Sequence, residues 1–233
     1  MRKILTIIIV LLAVFLIYLG FKDDKIYYLS LGDSLANGLN PYGSKDYGYT
    51  DYVKDYLNNK GILEVFVDDL VDNNKRATDI IREINDNVEI NVNGKTKTIQ
   101  NALIKADLIT ISLGMNDLLN NLNFNNDFSV NDLYDKLDQV SKDFEKLFDL
   151  MRTYCKEKII FIGFYDPTFN PELNEFFEYA NNKIKNIALS YDIEYIDTYN
   201  DFKTNKYFPN INSSYPNKEG YKLIADKIIN LTE

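Results

Sequence analysis

Short apolar runs alternate with amphipathic stretches along the chain after residue 25, and this alternation constrains the fold more than any other feature of the sequence. Such an alternation is typical of a parallel β-sheet with helices packed on both of its faces. It predicts an α/β fold, a three-layer α/β/α sandwich built on a five-stranded parallel sheet. The predicted strands are Ile26–Leu31, Leu63–Leu70, Leu108–Leu113, Lys158–Phe164 and Glu194–Tyr199.

Two local patterns refine this prediction. Residues 88–99 alternate apolar and polar side chains around Asn93-Gly94, a strong signal for a β-hairpin, so we expect a hairpin before the third strand. Between the third and fourth strands, apolar residues recur at intervals of three and four and predict a helix with one buried stripe. The stripe consists of Leu133, Leu137, Val140, Phe144, Leu147 and Met151. We therefore expect a single flavodoxin-like domain over residues 26–233.

The N-terminal segment predicts a membrane anchor. From Ile4 to Phe21 the chain is almost wholly apolar, and as a helix this stretch would measure about 27 Å, close to the thickness of a bilayer core. Small residues suited to signal-peptide cleavage do not end the run, so we expect residues 1–25 to form an uncleaved transmembrane helix with a short linker. Arg2 and Lys3 precede the span, which predicts a single-pass protein of the cell membrane with an extracytoplasmic domain.

The composition excludes several function classes. A formal net charge of -9 disfavours nucleic acid as a partner, because binding to phosphate backbones requires clustered Lys and Arg. The chain has one cysteine, Cys155, and no histidine, so we expect neither a disulfide framework nor a transition-metal site. No feature of the sequence indicates a cofactor, and the predicted cofactor and metal content is none.

Two predicted strands end in sequences that can carry chemistry. The first runs into Gly32-Asp33-Ser34-Leu35, which would place the Ser34 hydroxyl at the carboxyl edge of the sheet, where ligand sites of such folds form. The third runs into Gly114-Met115-Asn116-Asp117, which would place an amide donor at the same edge. Taken singly, each of the two motifs is equally compatible with a helix cap or a turn.

A third motif makes the set specific. Near the C-terminus, Tyr215-Pro216-Asn217 is followed by Gly220-Tyr221 at the start of a last amphipathic helix. In this order, the three motifs resemble the first, third and fifth sequence blocks of SGNH/GDSL hydrolases, in particular the membrane-anchored or secreted members of low-GC Gram-positive bacteria. The resemblance implies a lipase- or esterase-like domain that hydrolyses acyl or acetyl esters of lipids, small molecules or glycans. It also implies that Ser34 is the nucleophile and Asn116 the side-chain donor of the oxyanion hole.

Two blocks depart from the family pattern. In the second block, Asn74 occupies the position of the glycine whose backbone N–H serves the oxyanion hole. In the fifth block, Tyr215 replaces the catalytic histidine and Asn212 replaces the aspartate that orients it. A phenol with a reference pKa of about 10 stays protonated near neutral pH, so it does not replace an imidazole as a base.

The sequence therefore leaves three hypotheses. The leading one is a degenerate hydrolase that keeps its cleft, is weakly active or inactive, and binds an acylated lipid or glycan. The second is an active serine ester hydrolase with an unorthodox base, for which Lys75 is the candidate by analogy with Ser-Lys enzymes. The third is a structural or partner-binding ectodomain.

Overall fold

The computed structural model describes residues 25–119, 130–210 and 213–233. Five parallel strands form one sheet in the order β2-β1-β5-β6-β7, and β3 pairs with β4 in a separate antiparallel hairpin. This confirms the predicted α/β fold with a five-stranded parallel sheet. The strands are β1 (Ile26–Gly32), β2 (Leu63–Val71), β3 (Glu89–Val92), β4 (Lys95–Thr98), β5 (Leu108–Ser112), β6 (Lys158–Ile162) and β7 (Glu194–Ile196).

Helices cover both faces of the sheet because alternate strand residues are apolar on each side. Tyr28 belongs to one buried cluster and its neighbour Leu29 to the other. Helices α1 (Tyr49–Asn59) and α7 (Lys218–Thr232) contribute to the first cluster, and the remaining longer helices contribute to the second. The other helices of the described residues are α2 (Ala77–Asn85), α3 (Ile99–Lys105), α4 (Met115–Leu119), α5 (Val130–Tyr154) and α6 (Asn174–Ser190).

The fourth and fifth strands of the sheet end earlier than predicted, at Ile162 and Ile196. The backbone N–H of Phe164 donates to the side-chain oxygen of Asn181 at 2.9 Å, which takes it out of the sheet ladder. The Thr198 hydroxyl donates to the Gly163 carbonyl at 2.7 Å. Because side chains satisfy these backbone groups, the segments after β6 and β7 leave the sheet and line its carboxyl edge.

The predicted hairpin position carries β3 and β4, and the turn between them holds Asn93 and Gly94 at positive φ of 50° and 77°. The predicted stripe of α5 is buried along its length. The predicted membrane span, residues 4–21, lies outside the described residues. Within residues 25–119, 130–210 and 213–233, no helix is both long enough and apolar enough to cross a bilayer.

Candidate active site

Ser34 lies on a tight turn directly after β1. The Asp33 N–H donates to the Ser112 carbonyl at 2.9 Å, and the Leu35 N–H donates to the Asp33 carboxylate at 3.0 Å. A Cβ atom on Gly32 would lie 2.5 Å from the Ala36 Cβ, so only glycine permits this close return of the chain. No hydrogen bond involving the Ser34 hydroxyl or its backbone N–H exists in the described part of the structure.

A cleft of about 130 Å³ opens above Ser34 at the carboxyl ends of β1, β5 and β6. The Tyr165 hydroxyl donates to the Ser214 carbonyl at 2.8 Å and so ties the segment before α7 to the loop after β6. The cleft is lined by Asp33, Ser34, Leu35, Ser112, Leu113, Met115, Asn116, Leu119, Ile162, Gly163, Phe164, Tyr165, Ser214 and Tyr215. The structure thus brings together three of the predicted site residues, Ser34, Asn116 and Tyr215.

Asn116 lines the cleft, but its amide group is already engaged. Its Nδ2 atom donates to the carbonyl oxygens of Asn73 and Lys75, both at 3.0 Å. Two hydrogens are all that a side-chain amide can donate. In this conformation Asn116 therefore fixes the loop after β2 and has no hydrogen left for an oxyanion.

Asn74 lies outside the cleft. Its backbone N–H donates to the Asp72 side chain at 3.0 Å, and the residue borders a separate pocket with Arg76, Asn116 and Leu119. Among described non-glycine residues, positive φ occurs at Asn87, Asn93, Phe169 and Asp192, so Asn74 does not adopt the left-handed backbone that glycine favours. The expected backbone donor from the second block is therefore not directed at Ser34 here.

Tyr215 borders the cleft at the position where the fifth block has its histidine. Its backbone N–H donates to the Ser213 hydroxyl at 3.2 Å. Asn217 then begins α7 as its N-cap, with its side-chain oxygen accepting from the Gly220 N–H at 3.0 Å. Asn212, the predicted replacement of the aspartate, lies outside the described residues.

Lys75, the candidate base of the second hypothesis, is directed elsewhere. Its ammonium group forms an ion pair with the Glu83 carboxylate at 2.8 Å, and the side chain is 13% exposed. Lys75 does not line the Ser34 cleft. The ion pair therefore holds the Lys75 side chain away from Ser34.

Comparison with known proteins decides the family. The sequence of residues 28–228 matches the GDSL-like lipase/acylhydrolase family. The chain belongs to this family. No curated protein matches this GDSL-like chain in sequence.

Solved structures of similar fold include an esterase and an enzyme described as an alpha/beta hydrolase. The acetylxylan esterase Axe2 from Geobacillus stearothermophilus is 17% identical with a TM-score of 0.64, over 87% of this chain and 92% of Axe2. LAE5, an alpha/beta hydrolase enzyme from the metagenome of Lake Arreo, is 15% identical with a TM-score of 0.61, over the same two shares. Catalytic mutants of Axe2 replace a serine, an aspartate and a histidine, the last two being three positions apart. At these identities the likeness shows the fold.

In this GDSL-like chain the structure adds Asp33 and Tyr165 to the site, which the sequence did not single out. The pKa of the Asp33 carboxyl is raised to about 7, mainly by burial. The hydrogen bond from the Leu35 N–H lowers this pKa, and the nearby negative charge of Asp117 raises it. Burial also raises the pKa of Tyr165 well above its ordinary value, with a further contribution from Asp33. In the sequence, the position of Asp33 between a predicted buried strand and Ser34 is the one feature that indicates its place in the site.

Asp117, which follows Asn116, is a second carboxyl group with a raised pKa. Both of its carboxylate oxygens accept from the Ala77 N–H at 3.3 Å, and burial raises its pKa to about 6. In the described residues, no group of three or more Asp, Glu, Cys or His side chains is placed to hold a metal ion. The groups present in the cleft, a serine hydroxyl, a carboxyl and two phenols, can support proton transfer and hydrogen bonding around Ser34.

Proposed function

We propose that the chain is an SGNH/GDSL-type domain that binds short acyl esters at the Ser34 cleft and hydrolyses them weakly or not at all. One observation carries the proposal: the cleft holds a serine hydroxyl and two tyrosines, Tyr165 and Tyr215, in a chain without a single histidine. A serine hydroxyl attacks an ester efficiently only when a neighbouring base accepts its proton and returns it to the leaving group. In serine hydrolases, loss of the histidine costs on the order of 10⁶ in turnover.

The hydrogen bonds of the rim support the same proposal. A developing oxyanion requires donors that are already directed at it. Asn116 donates both amide hydrogens to the loop after β2, so the Ser34 N–H is the family donor that has no partner within the described residues. Removing one oxyanion donor typically costs about 10²-fold to 10³-fold in turnover. Slow chemistry is therefore expected on two independent grounds.

The size of the cleft favours a short acyl group. Pockets for drug-sized ligands occupy about 300–1,000 Å³, whereas this cleft measures about 130 Å³. An acetyl group fits such a volume better than a long lipid chain. The similarity of fold to an acetylxylan esterase supports an acetyl ester as the bound group.

An active hydrolase is the second candidate, and Asp33 is the observation that favours it. Asp33 is the one carboxyl group among the described residues of the cleft and precedes Ser34 directly. Its pKa of about 7 suits a general base near neutral pH. This candidate replaces Lys75 by Asp33 as the unorthodox base.

Labelling of Ser34 tests the proposed function. The full chain is treated with a fluorophosphonate probe, and p-nitrophenyl acetate and p-nitrophenyl palmitate hydrolysis are measured beside it, with Ser34→Ala as the matched control. We expect slow labelling that Ser34→Ala abolishes, and acetate turnover near background. Rapid labelling and turnover near pH 7 would overturn the weak-activity proposal.

The same assay distinguishes Asp33 from Lys75 as the candidate base. If Asp33 is the base, turnover of the acetate ester rises as the pH passes through about 7 and is lost in Asp33→Asn. If Lys75 is the base, turnover is lost in Lys75→Met and retained in Asp33→Asn. If labelling is absent in the parent and no acetylated ligand binds, the structural-ectodomain hypothesis is preferred.

We also propose that residues 1–25 anchor the domain outside the cell membrane. The apolar run from Ile4 to Phe21 and the basic residues before it are the support. Protease treatment of intact cells should release or digest the domain. Full protection of the domain until the cells are lysed would contradict this orientation.

A further inference from the structure

A second, larger cavity lies beside the Ser34 cleft. This groove has a volume of about 420 Å³, within the range of about 300–1,000 Å³ that is usual for ligand pockets. It forms beyond the carboxyl ends of β6 and β7 and is lined by Asp166, Phe169, Asn174, Glu178, Tyr199, Phe202 and Lys203. Asp166 follows directly on Tyr165 of the cleft, so a single loop separates the two cavities.

Asp166 presents an unsatisfied acceptor. The residue is 7% exposed, and its Oδ1 atom accepts from the N–H and the hydroxyl of Thr168 at 2.8 and 2.6 Å. Its Oδ2 atom is buried and has no hydrogen-bond partner among the described residues. A buried acceptor without a partner costs about 1–3 kcal/mol. Asp166 also lines the groove, so this carboxylate borders the cavity in which a ligand would lie.

An exposed aromatic ring borders the same groove. Phe169 is 38% exposed, and its ring packs edge-on against Phe208 at 5.5 Å. Its φ of 52° lies in the left-handed region, which is costly for a bulky side chain and clusters at ligand sites. In the segment after β7, the Lys203 ammonium lies 4.4 Å from the centre of the Tyr199 ring. The groove thus combines apolar ring faces with polar groups.

The charges of the lining restrict the ligand. Asp166 and Glu178 accept hydrogen bonds, and Lys203 donates them. A ligand that uses this lining fully must offer both donors and acceptors, because the groove presents two carboxylates and one ammonium. A neutral molecule with many hydroxyl groups both donates and accepts, and the C–H face of a sugar ring packs on an aromatic ring.

We propose that the groove lined by Asp166, Phe169 and Lys203 binds a neutral sugar ring of an oligosaccharide. This inference rests on the proposed function in one respect: the sugar in the groove would hold an adjoining esterified sugar at the Ser34 cleft. Binding of the sugar itself requires no ester. The groove can therefore be tested independently of the chemistry at Ser34.

The test is calorimetric titration of the full chain with three unesterified neutral probes, xylohexaose, cellohexaose and N-acetylchitohexaose. We expect at least one to bind, and Phe169→Ala and Asp166→Asn each to weaken that binding at least tenfold. Asp166→Asn keeps the Oδ1 acceptor for Thr168 but replaces the unpartnered acceptor by a donor. Glu178→Gln, on the exposed side of the groove, provides a variant that is not expected to perturb folding.

Tyr42→Ala is the matched control, because Tyr42 is 78% exposed and lines neither cavity. Tyr42→Ala should bind the probe as the parent does. Failure of all three probes to bind overturns the groove proposal, as does binding that survives Phe169→Ala, Asp166→Asn and Glu178→Gln. The labelling of Ser34 is a separate result: rapid labelling with intact sugar binding overturns the weak-activity proposal and leaves the groove proposal standing.

Discussion

The Ser34 cleft and the neighbouring groove lie on the same edge of the sheet but differ in how their polar groups are satisfied. At the cleft, Asn116 and Asp117 bond to the loop after β2, and the Asp33 carboxylate bonds to its own turn. At the groove, Asp166 keeps a buried oxygen without a partner and Phe169 presents an exposed ring. At the cleft the Ser34 hydroxyl and N–H have no partner within the described residues, whereas the groove presents an exposed aromatic ring and charged side chains.

The two cavities therefore differ in the groups that remain available to a ligand. A family hydrolase needs unpaired donors at the serine, and here the protein itself uses the Asn116 donor. Among the described residues, the groove adds a buried unpaired oxygen of Asp166 and the left-handed backbone of Phe169, both of which cost stability. Binding beside a weakened catalytic centre accounts for both observations. The following predictions test this contrast, in order of decreasing expected effect.

The largest effect is expected from the buried charge at Asp33. Its carboxyl has a folded-state pKa of about 7, raised above the ordinary value of 3.8 by burial. Between these values the folded chain holds a proton that the unfolded chain has lost, so the free energy of unfolding falls as the pH rises. The slope is about 1.4 kcal/mol per pH unit, which sums to on the order of 4 kcal/mol between pH 4 and pH 7.

Denaturant unfolding at a series of pH values measures this slope. Asp33→Asn resembles the protonated form, so it should match the parent near pH 4 and exceed its stability at pH 8. Asp46→Asn is the control, because hydrogen bonds from Tyr47 and Lys218 lower the pKa of this exposed carboxyl and its titration lies below that window. Equal slopes for the parent and Asp33→Asn would show that Asp33 is ionised in the folded protein.

The next effect concerns the packing of the cleft floor. In Gly32→Ala, the new methyl group would lie 2.5 Å from the Ala36 Cβ and 2.6 Å from the Ser112 hydroxyl. Overpacking of this kind costs about 1–3 kcal/mol. In Gly43→Ala the methyl group meets no atom within 4 Å, so its cost is confined to the positive φ of 78°. Thermal unfolding should rank Gly32→Ala below Gly43→Ala, and the reverse order would contradict a tightly packed turn.

A smaller effect is expected when the missing base is restored. The double change Asn212→Asp with Tyr215→His recreates a carboxylate and an imidazole three positions apart, the spacing found in Axe2. Hydrolysis of p-nitrophenyl acetate should rise at least about tenfold, equal to ~1.4 kcal/mol of transition-state stabilisation. Adding Ser34→Ala to the pair should remove the gain. A folded double variant as slow as the parent would show that the closed oxyanion side, and not the base alone, limits the cleft.

The smallest effect is expected at the groove. Phe169→Gly relieves the left-handed backbone at φ 52°, so the variant should lose little stability or gain up to about 1 kcal/mol, although it removes an aromatic ring. Sugar binding should fall in the same variant. A large loss of stability on this change would identify Phe169 as a packing residue and weaken the contrast between the two cavities.

Local sequence patterns determined the elements and their order. The five strands follow from short apolar runs, and the long helix follows from the spacing of Leu133, Leu137 and Phe144. Because the carboxyl ends of parallel strands meet at one edge, the sequence alone places the motifs around Ser34 and Asn116 together. The proposal that Tyr215 replaces the family histidine also rests on the order of residues alone.

Only the tertiary structure decides the pKa values, the hydrogen-bond partners and the cavity positions of the site residues. The raised pKa of Asp33 depends on burial by elements distant in sequence, and the two bonds of Asn116 depend on how the loop after β2 returns to β5. The Lys75 side chain pairs with Glu83 and does not line the cleft. Residues between Asp166 and Lys203 that are distant in sequence line the groove together. Burial, hydrogen-bond pairing and cavity shape are set by contacts between segments, whereas periodicity and motifs record only the preferences of each segment.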